Sequence, residues 1–248
     1  MASATFPQTA LRRINATTAA LLIRAAHPRQ AFFITLALTL AAALSGRPGR
    51  EVALVAATVL VGQLILGWQN DLVDAAADQR HQRIKPIVDG LDRSTLSFAI
   101  SCAVLLLIPL AVSNGLMAGA CFGVSILVGV LGNLRNGLVR MGPLSWVPWA
   151  ISFGLYPAFL SYGGWGGQAT GEAPSLTLTA LSALLGIGVH VFTALWGLVA
   201  DDADHWRYLP LWLARRTGAT TVLLGSIVYL GIIGTAIAVV AQQSGLGA

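Results

Sequence analysis

Charge is scarce in this sequence. Only 10% of its 248 residues are Asp, Glu, Lys or Arg, 56% are hydrophobic, and the mean hydropathy is +0.74. A soluble domain carries about a quarter charged residues, so a water-soluble globular chain is excluded. Cysteine is nearly absent. Cys102 and Cys121 both sit in apolar runs, which rules out a disulfide framework and metal-ligand spacing. No second histidine or cysteine stands at ligand spacing from His190, which excludes zinc. A secretory signal is missing too: residues 1–27 hold Arg12, Arg13 and Arg24, with no short apolar core before a small-residue cleavage site. There is no internal repeat and no low-complexity tail.

What remains is apolar sequence in lengths near the roughly 20 residues a bilayer-crossing helix needs. The pattern predicts an all-α, polytopic transmembrane helical bundle, one domain over residues 1–248. Residues 1–27 form a cytoplasmic or interfacial segment, with Ala16 to Ile23 as its interfacial helix. Seven spans are predicted, at about 28–45, 52–70, 95–113, 116–132, 144–162, 176–200 and 219–241. Basic residues concentrate in cytoplasmic loops. With the N-terminus inside, that side receives Arg12, Arg13, Arg24, Arg29, Arg80, Arg83, Lys85, Arg93, Arg135, Arg140, Arg207, Arg215 and Arg216, thirteen of the fifteen Lys and Arg residues. Only Arg47 and Arg50 fall outside, and the C-terminus is placed there too. Topology in a cytoplasmic membrane thus explains the net charge of +5, and nucleic acid is not an expected partner.

Acidic residues are rarer still, and eight of the ten lie in two loops on the predicted cytoplasmic side. The loop at 70–93 carries Asp71, Asp74, Asp78, Asp89 and Asp92; that at 200–217 carries Asp201, Asp202 and Asp204. On a helix Asp71, Asp74 and Asp78 fall at i, i+3 and i+7 and share one face. Like charges so close need a cation, and an oxygen-only donor set suits Mg²⁺. Two such clusters can clamp a diphosphate through Mg²⁺ and make it a better leaving group. Arg83, Lys85, Arg140 and Arg207 are at hand for the remaining phosphate charge. An apolar bundle behind them would take a hydrocarbon tail, which describes an isoprenoid diphosphate site.

Asn70-Asp71-Leu72-Val73-Asp74-Ala75-Ala76-Ala77-Asp78 resembles the NDxxDxxxD motif of the UbiA-type intramembrane prenyltransferases. Lys85-Pro86 with Gly90 resembles the Lys/Arg-Pro…Gly that follows it. Pro143 to Phe159, with Ser145, Pro148, Phe153, Gly154 and Pro157, is similar to the family's fifth helix; Gly186-Ile187-Gly188-Val189-His190 and Leu209-Pro210 also match. The resemblance covers roughly residues 20–218. It implies that Asn70, Asp71, Asp74 and Asp78 hold Mg²⁺ and the prenyl diphosphate, that Lys85 meets phosphate, and that Asp201 is the last acid of a second, DxxxD-like motif. It also implies transfer of a prenyl chain to an aromatic or lipid acceptor, or its cyclisation to a terpene.

The chain departs from that pattern in three places. Gly197 stands where the second motif's first acid belongs, leaving Asp202 or Asp204 to substitute. The stretch between Asp78 and Pro86 is one residue short. Seven spans replace the family's usual nine, which leaves the cavity less enclosed or calls for a partner subunit.

Other candidates have two readings each. His190, on one helical stripe with Thr193, Gly197 and Asp201, either orients an acceptor hydroxyl or acts as a base, or else bonds a neighbouring helix. Trp146, Trp149, Phe153 and Tyr156 form a second stripe; Trp146 reads as an interfacial belt residue, while Phe153 and Tyr156 read as cavity residues able to face a carbocation. Trp68 lines the pocket or anchors the interface. Asn133, Arg135, Asn136 and Arg140 open the loop before the fifth span, with Arg140 the expected phosphate ligand. Gly163 to Gly167 is a flexible loop.

The expected function is therefore a Mg²⁺-dependent transferase ionising a prenyl diphosphate, with a terpene cyclase as the alternative. A transporter or non-catalytic membrane scaffold is the third possibility. It is disfavoured because the charges gather at one membrane face, with no inverted repeat.

Overall fold

The computed structural model describes residues 17–81, 83–135, 137–164 and 173–243. Arg12, Arg13, Asn136, Trp165 to Gly167 and the C-terminal residues 244–248 lie outside the described residues. The described chain is all-α. Its helices are α1 (Thr18–Ala25), α2 (Pro28–Leu44), α3 (Gly49–Arg80), α4 (Arg93–Ser113), α5 (Leu116–Asn133), α6 (Val147–Gly154), α7 (Tyr156–Ser161), α8 (Leu176–Ala194), α9 (Leu198–Ala203), α10 (Leu209–Thr217) and α11 (Ala219–Gln243). Five of them, α3, α4, α5, α8 and α11, are long and apolar enough to cross a membrane; α2 and the α6–α7 pair are shorter apolar helices.

Element boundaries differ from the sequence expectation where local chemistry intervenes. The second predicted span ends at 70, yet α3 runs on for 32 residues to Arg80, about 48 Å at 1.5 Å per residue. That exceeds the ~30 Å hydrocarbon thickness of a bilayer. The acidic motif therefore occupies the last turns of a helix, and the connecting loop starts only at His81. The predicted 144–162 helix breaks at Leu155, because Pro157 has no N–H to give the Phe153 carbonyl and crowds it. The predicted 176–200 helix stops at Ala194, and a turn through Gly197 restarts the chain as α9. Asp92 belongs to no acidic clamp: its side chain caps α4, accepting from the Ser94 and Thr95 amides at 3.0 and 3.1 Å.

The helices pack in an arc, α2 on α3, α3 on α5, α5 on α6, α6 on α8 and α8 on α11, with α4 against α3 and α5. Away from the acidic motif the arc is solid. Phe122 and Phe159 stack at 4.8 Å between ring centres, with Val55 and Val59 fully buried beside them. Here Arg47, predicted as an outer-side charge, is itself buried, donating to the carbonyls of Leu160 and Gly163. Asn114 links Thr58 and the Leu110 carbonyl, each at 2.8 Å.

At the acidic end the α1–α2 corner lies against α3. His27 there adopts a left-handed backbone (φ 52°), and Pro28 opens α2. The corner fits because position 67 has no side chain: a Cβ on Gly67 would lie 2.6 Å from the Ala26 carbonyl. Gly67→Ala should therefore cost about 1–3 kcal/mol through overpacking. Gly225→Ala, where a Cβ meets nothing within 4 Å, should gain up to about 1 kcal/mol of helix propensity. Unfolding midpoints in detergent would check both.

Candidate active site

Beside the solid core, the arc borders a half-open cavity of about 790 Å³. Its two ends differ in chemistry. Ile34, Leu66, Trp149, Phe153 and Tyr156 line the apolar end, whereas Asn70, Asp74, Asp201 and Asp204 line the other with Arg83, Lys85, Arg135 and Arg140. The long α3 brings the first acids, and the turn at Gly197 aims the second set back at them.

The two acidic sets are strapped together by guanidinium groups. Arg83, just after α3, donates to Asp78 at 3.1 Å and lies 3.8 Å from Asp201. Arg135, just after α5, lies 3.5 Å from Asp74 and 3.6 Å from Asp204. Arg140 holds the first set in register, donating to Asp74 at 2.6 Å and to the Asn70 side-chain oxygen at 2.9 Å. Both Arg135 and Arg140 lie over the Trp206 ring, at 5.5 and 5.7 Å. Trp206 joins Leu198, Tyr208 and Leu211 in a small core under the second acidic set.

Asp71 and Asp78 lie behind the cavity wall, 2% and 1% exposed. One Asp71 oxygen meets both Lys85 at 3.1 Å and His27 at 3.2 Å. Burial pushes the Asp201 carboxyl above the ordinary carboxylate range, against the opposing pull of the Tyr208 hydroxyl, which donates to it at 2.6 Å. Burial also raises the Tyr208 hydroxyl, so it stays a donor. Asp204 goes the other way: the His81 hydrogen bond, 2.9 Å long, holds it below that range.

His190 lines the cavity and is anchored within it. Its Nε2 lies 3.0 Å from the Ser145 hydroxyl, which also accepts the Leu209 amide at 3.3 Å. The ring stacks on Trp149 at 5.5 Å. The partner is a turn residue just before α6 rather than a helix residue, and the bonded ring still lines the cavity.

Asp71 and Asp78, expected as metal ligands, are thus held in the wall rather than in the cavity, and three further expected residues stand apart from it. Asp202 is exposed and pairs with Arg215. The Trp68 indole donates to the Leu22 carbonyl at 2.8 Å, pinning α1 to α3. The Arg207 side chain is exposed, while its backbone amide bonds the Met141 carbonyl at 2.8 Å. Arg135, a candidate from the loop before the fifth span, lines the cavity with Arg140. Sequence reasoning missed His27, His81 and Trp206. His81 falls on the face of Asp74 and Asp78, at i+7 and i+3, so the same spacing argument reaches it. The other two rest on long-range contacts that no local pattern carries.

Among the described residues, no three His, Cys, Asp or Glu side chains converge as a ready metal-ligand group. The donor set facing the cavity, Asn70, Asp74, Asp201 and Asp204, is nevertheless all oxygen, the type Mg²⁺ takes; one oxygen of Asp71, in the wall behind it, is buried with no partner. No family model, curated protein or solved structure matches this chain. The resemblance to the prenyltransferases stands on its motif residues alone.

Breaking one strap should reveal its coupling. In a double-mutant cycle, Arg135→Gln and Asp204→Asn should couple by about 0.5–2 kcal/mol in unfolding free energy at neutral pH. Because the folded pKa of Asp204 is depressed, the ionised pair's contribution is complete above the ordinary carboxylate value of 3.8. It is lost as pH falls through the lower folded value. Unfolding titrations at pH 7 and at pH values below 3.8 would measure it.

Proposed function

We propose that this chain is a membrane-embedded prenyltransferase that ionises an isoprenoid diphosphate and passes the prenyl group to an aromatic or lipid acceptor. One observation carries the reading: a single cavity has a carboxylate–guanidinium end and an aromatic, hydrocarbon end, the two requirements of a prenyl diphosphate. Its volume falls within the roughly 300–1,000 Å³ of small-molecule sites. In this reading all seven apolar segments cross a cytoplasmic membrane, and the ionic end opens to the cytoplasm.

Asn70, Asp74 and Asp201, which line the cavity, are the residues that would hold Mg²⁺, with Asp204 in place of the acid lost at Gly197, and the buried Asp71 and Asp78 back them from behind the wall. When bound, Mg²⁺ supplies charge neutralisation of the leaving diphosphate. Arg83, Lys85, Arg135 and Arg140 are within reach to exchange carboxylate partners for phosphate oxygens. The allylic C–O bond breaks with its electron pair leaving on the diphosphate. An acceptor carbon or oxygen then supplies the pair for the new bond and loses a proton. Trp149 and Phe153 face the developing positive charge, each ring giving about 0.5–2 kcal/mol, while Tyr156 lies deeper, beside the far end of the chain. Their contiguity, with ring centres 6.2 and 5.1 Å apart, also suits a chain folded on itself, the cyclase alternative. His190, fixed by Ser145, is the group placed to orient an acceptor or receive its proton.

The test is turnover of radiolabelled prenyl diphosphates of ten to twenty carbons by purified protein, with and without Mg²⁺ and acceptor. Pyrophosphate release should require Mg²⁺ and fall by about 10²–10³ in Asp74→Ala or Asp201→Ala, the size of losing one electrostatic stabiliser. Arg215→Gln, remote from the cavity, should retain it. Cyclic products formed without acceptor would identify the cyclase, and absence of Mg²⁺-dependent release at every chain length would overturn the enzyme reading.

A further inference from the structure

We infer that Gln63 and Tyr156 form a floor that restricts the prenyl chain to ten or fifteen carbons, an inference that rests on the cavity being a prenyl diphosphate site. They are the farthest cavity-lining positions from the acids on their helices, Gln63 on α3 and Tyr156 opening α7. Gln63 and Tyr156 line that end of the cavity from two different helices and interact there, so α3 and α7 both contribute to one surface. Both are buried, and one turn farther along the same helices Val59 and Phe159 are wholly buried. Phe159 stacks on Phe122. The cavity therefore ends on packed core rather than on open bilayer.

Helix geometry gives the depth. Asp74 and Gln63 are eleven residues apart on α3, about 16 Å along the axis at 1.5 Å per residue. The diphosphate occupies the first turn of that distance. From Asn70, where the reacting carbon would sit, about 10 Å remain to the floor. A five-carbon isoprene unit advances about 5 Å when its ~1.5 Å C–C bonds are laid in zigzag. Two units fill the depth when extended and three when bent. A fourth has to displace Tyr156 or double back over the aromatic rings.

Competition among ten-, fifteen-, twenty- and thirty-carbon all-trans prenyl diphosphates, read both as displacement of a bound labelled chain and as kcat/KM, tests the floor. Wild-type protein should prefer ten or fifteen carbons over twenty by at least tenfold, mostly in KM. Tyr156→Ala should raise the twenty-to-ten carbon ratio at least tenfold. Gln63→Ala, which removes the floor from the other helix, should move the ratio the same way if Tyr156→Ala does not fold. Tyr156→Phe keeps the ring and should keep the wild-type ratio. Chains of twenty or thirty carbons used as well as fifteen, or alanine variants with an unmoved ratio, would overturn the floor and leave the prenyl site intact. Failure of every chain both to bind and to react would overturn the site itself, and the floor with it.

Discussion

Five carboxylates are brought to one end of a largely apolar bundle, and the arrangement depends on how that charge is balanced. Carboxylates moved out of water lose hydration and repel one another. Arg83 and Arg135 answer both costs by standing between the sets, each within 4 Å of one acid from α3 and one from the α9 segment. A guanidinium suits the task because it is always charged and presents donors in several directions at once. The loop after α3, the loop after α5 and the turn at Gly197 are all positioned by this pairing. A diphosphate with its cation would take over the same electrostatic work, releasing the arginines toward phosphate.

The framework was legible in the sequence to the extent that it is local. Apolar run length gives the long helices, and i, i+3, i+7 spacing places Asp71, Asp74 and Asp78 on one side of α3. In the sequence both Asp201 and Asp202 read as site acids, although adjacent helical residues point about 100° apart and only one can face the cavity. The structure turns Asp201 inward and leaves Asp202 to Arg215. Pro157 announces the break between α6 and α7 in the same local way. What remained illegible depends on partners distant in sequence. Nothing near Trp68 says that its N–H ends on Leu22, and nothing near His27 says that a left-handed backbone carries its ring to Asp71, 44 residues away. Residue type misleads in such places. Trp68, His27 and Arg47 look like site or surface residues, and only tertiary packing separates their roles.

The two halves of the bundle divide rigidity from function. The half holding Phe122, Phe159, Val55 and Val59 is dry core, sealed by the Thr58–Asn114 bond and by Arg47 on the Leu160 and Gly163 carbonyls. The acidic half is built from helix ends, short helices and loops held by ion pairs. Regions with fewer buried apolar contacts open first, so opening of the cavity falls naturally to this half. The division also explains why one helix carries both roles. The rigid core fixes the register of α3, and α3 carries that register into the acidic motif without a joint. Distance between floor and carboxylates is then set by the rise of a single helix rather than by loop conformation. Such a ruler keeps its length while the arginine straps at the other end exchange partners.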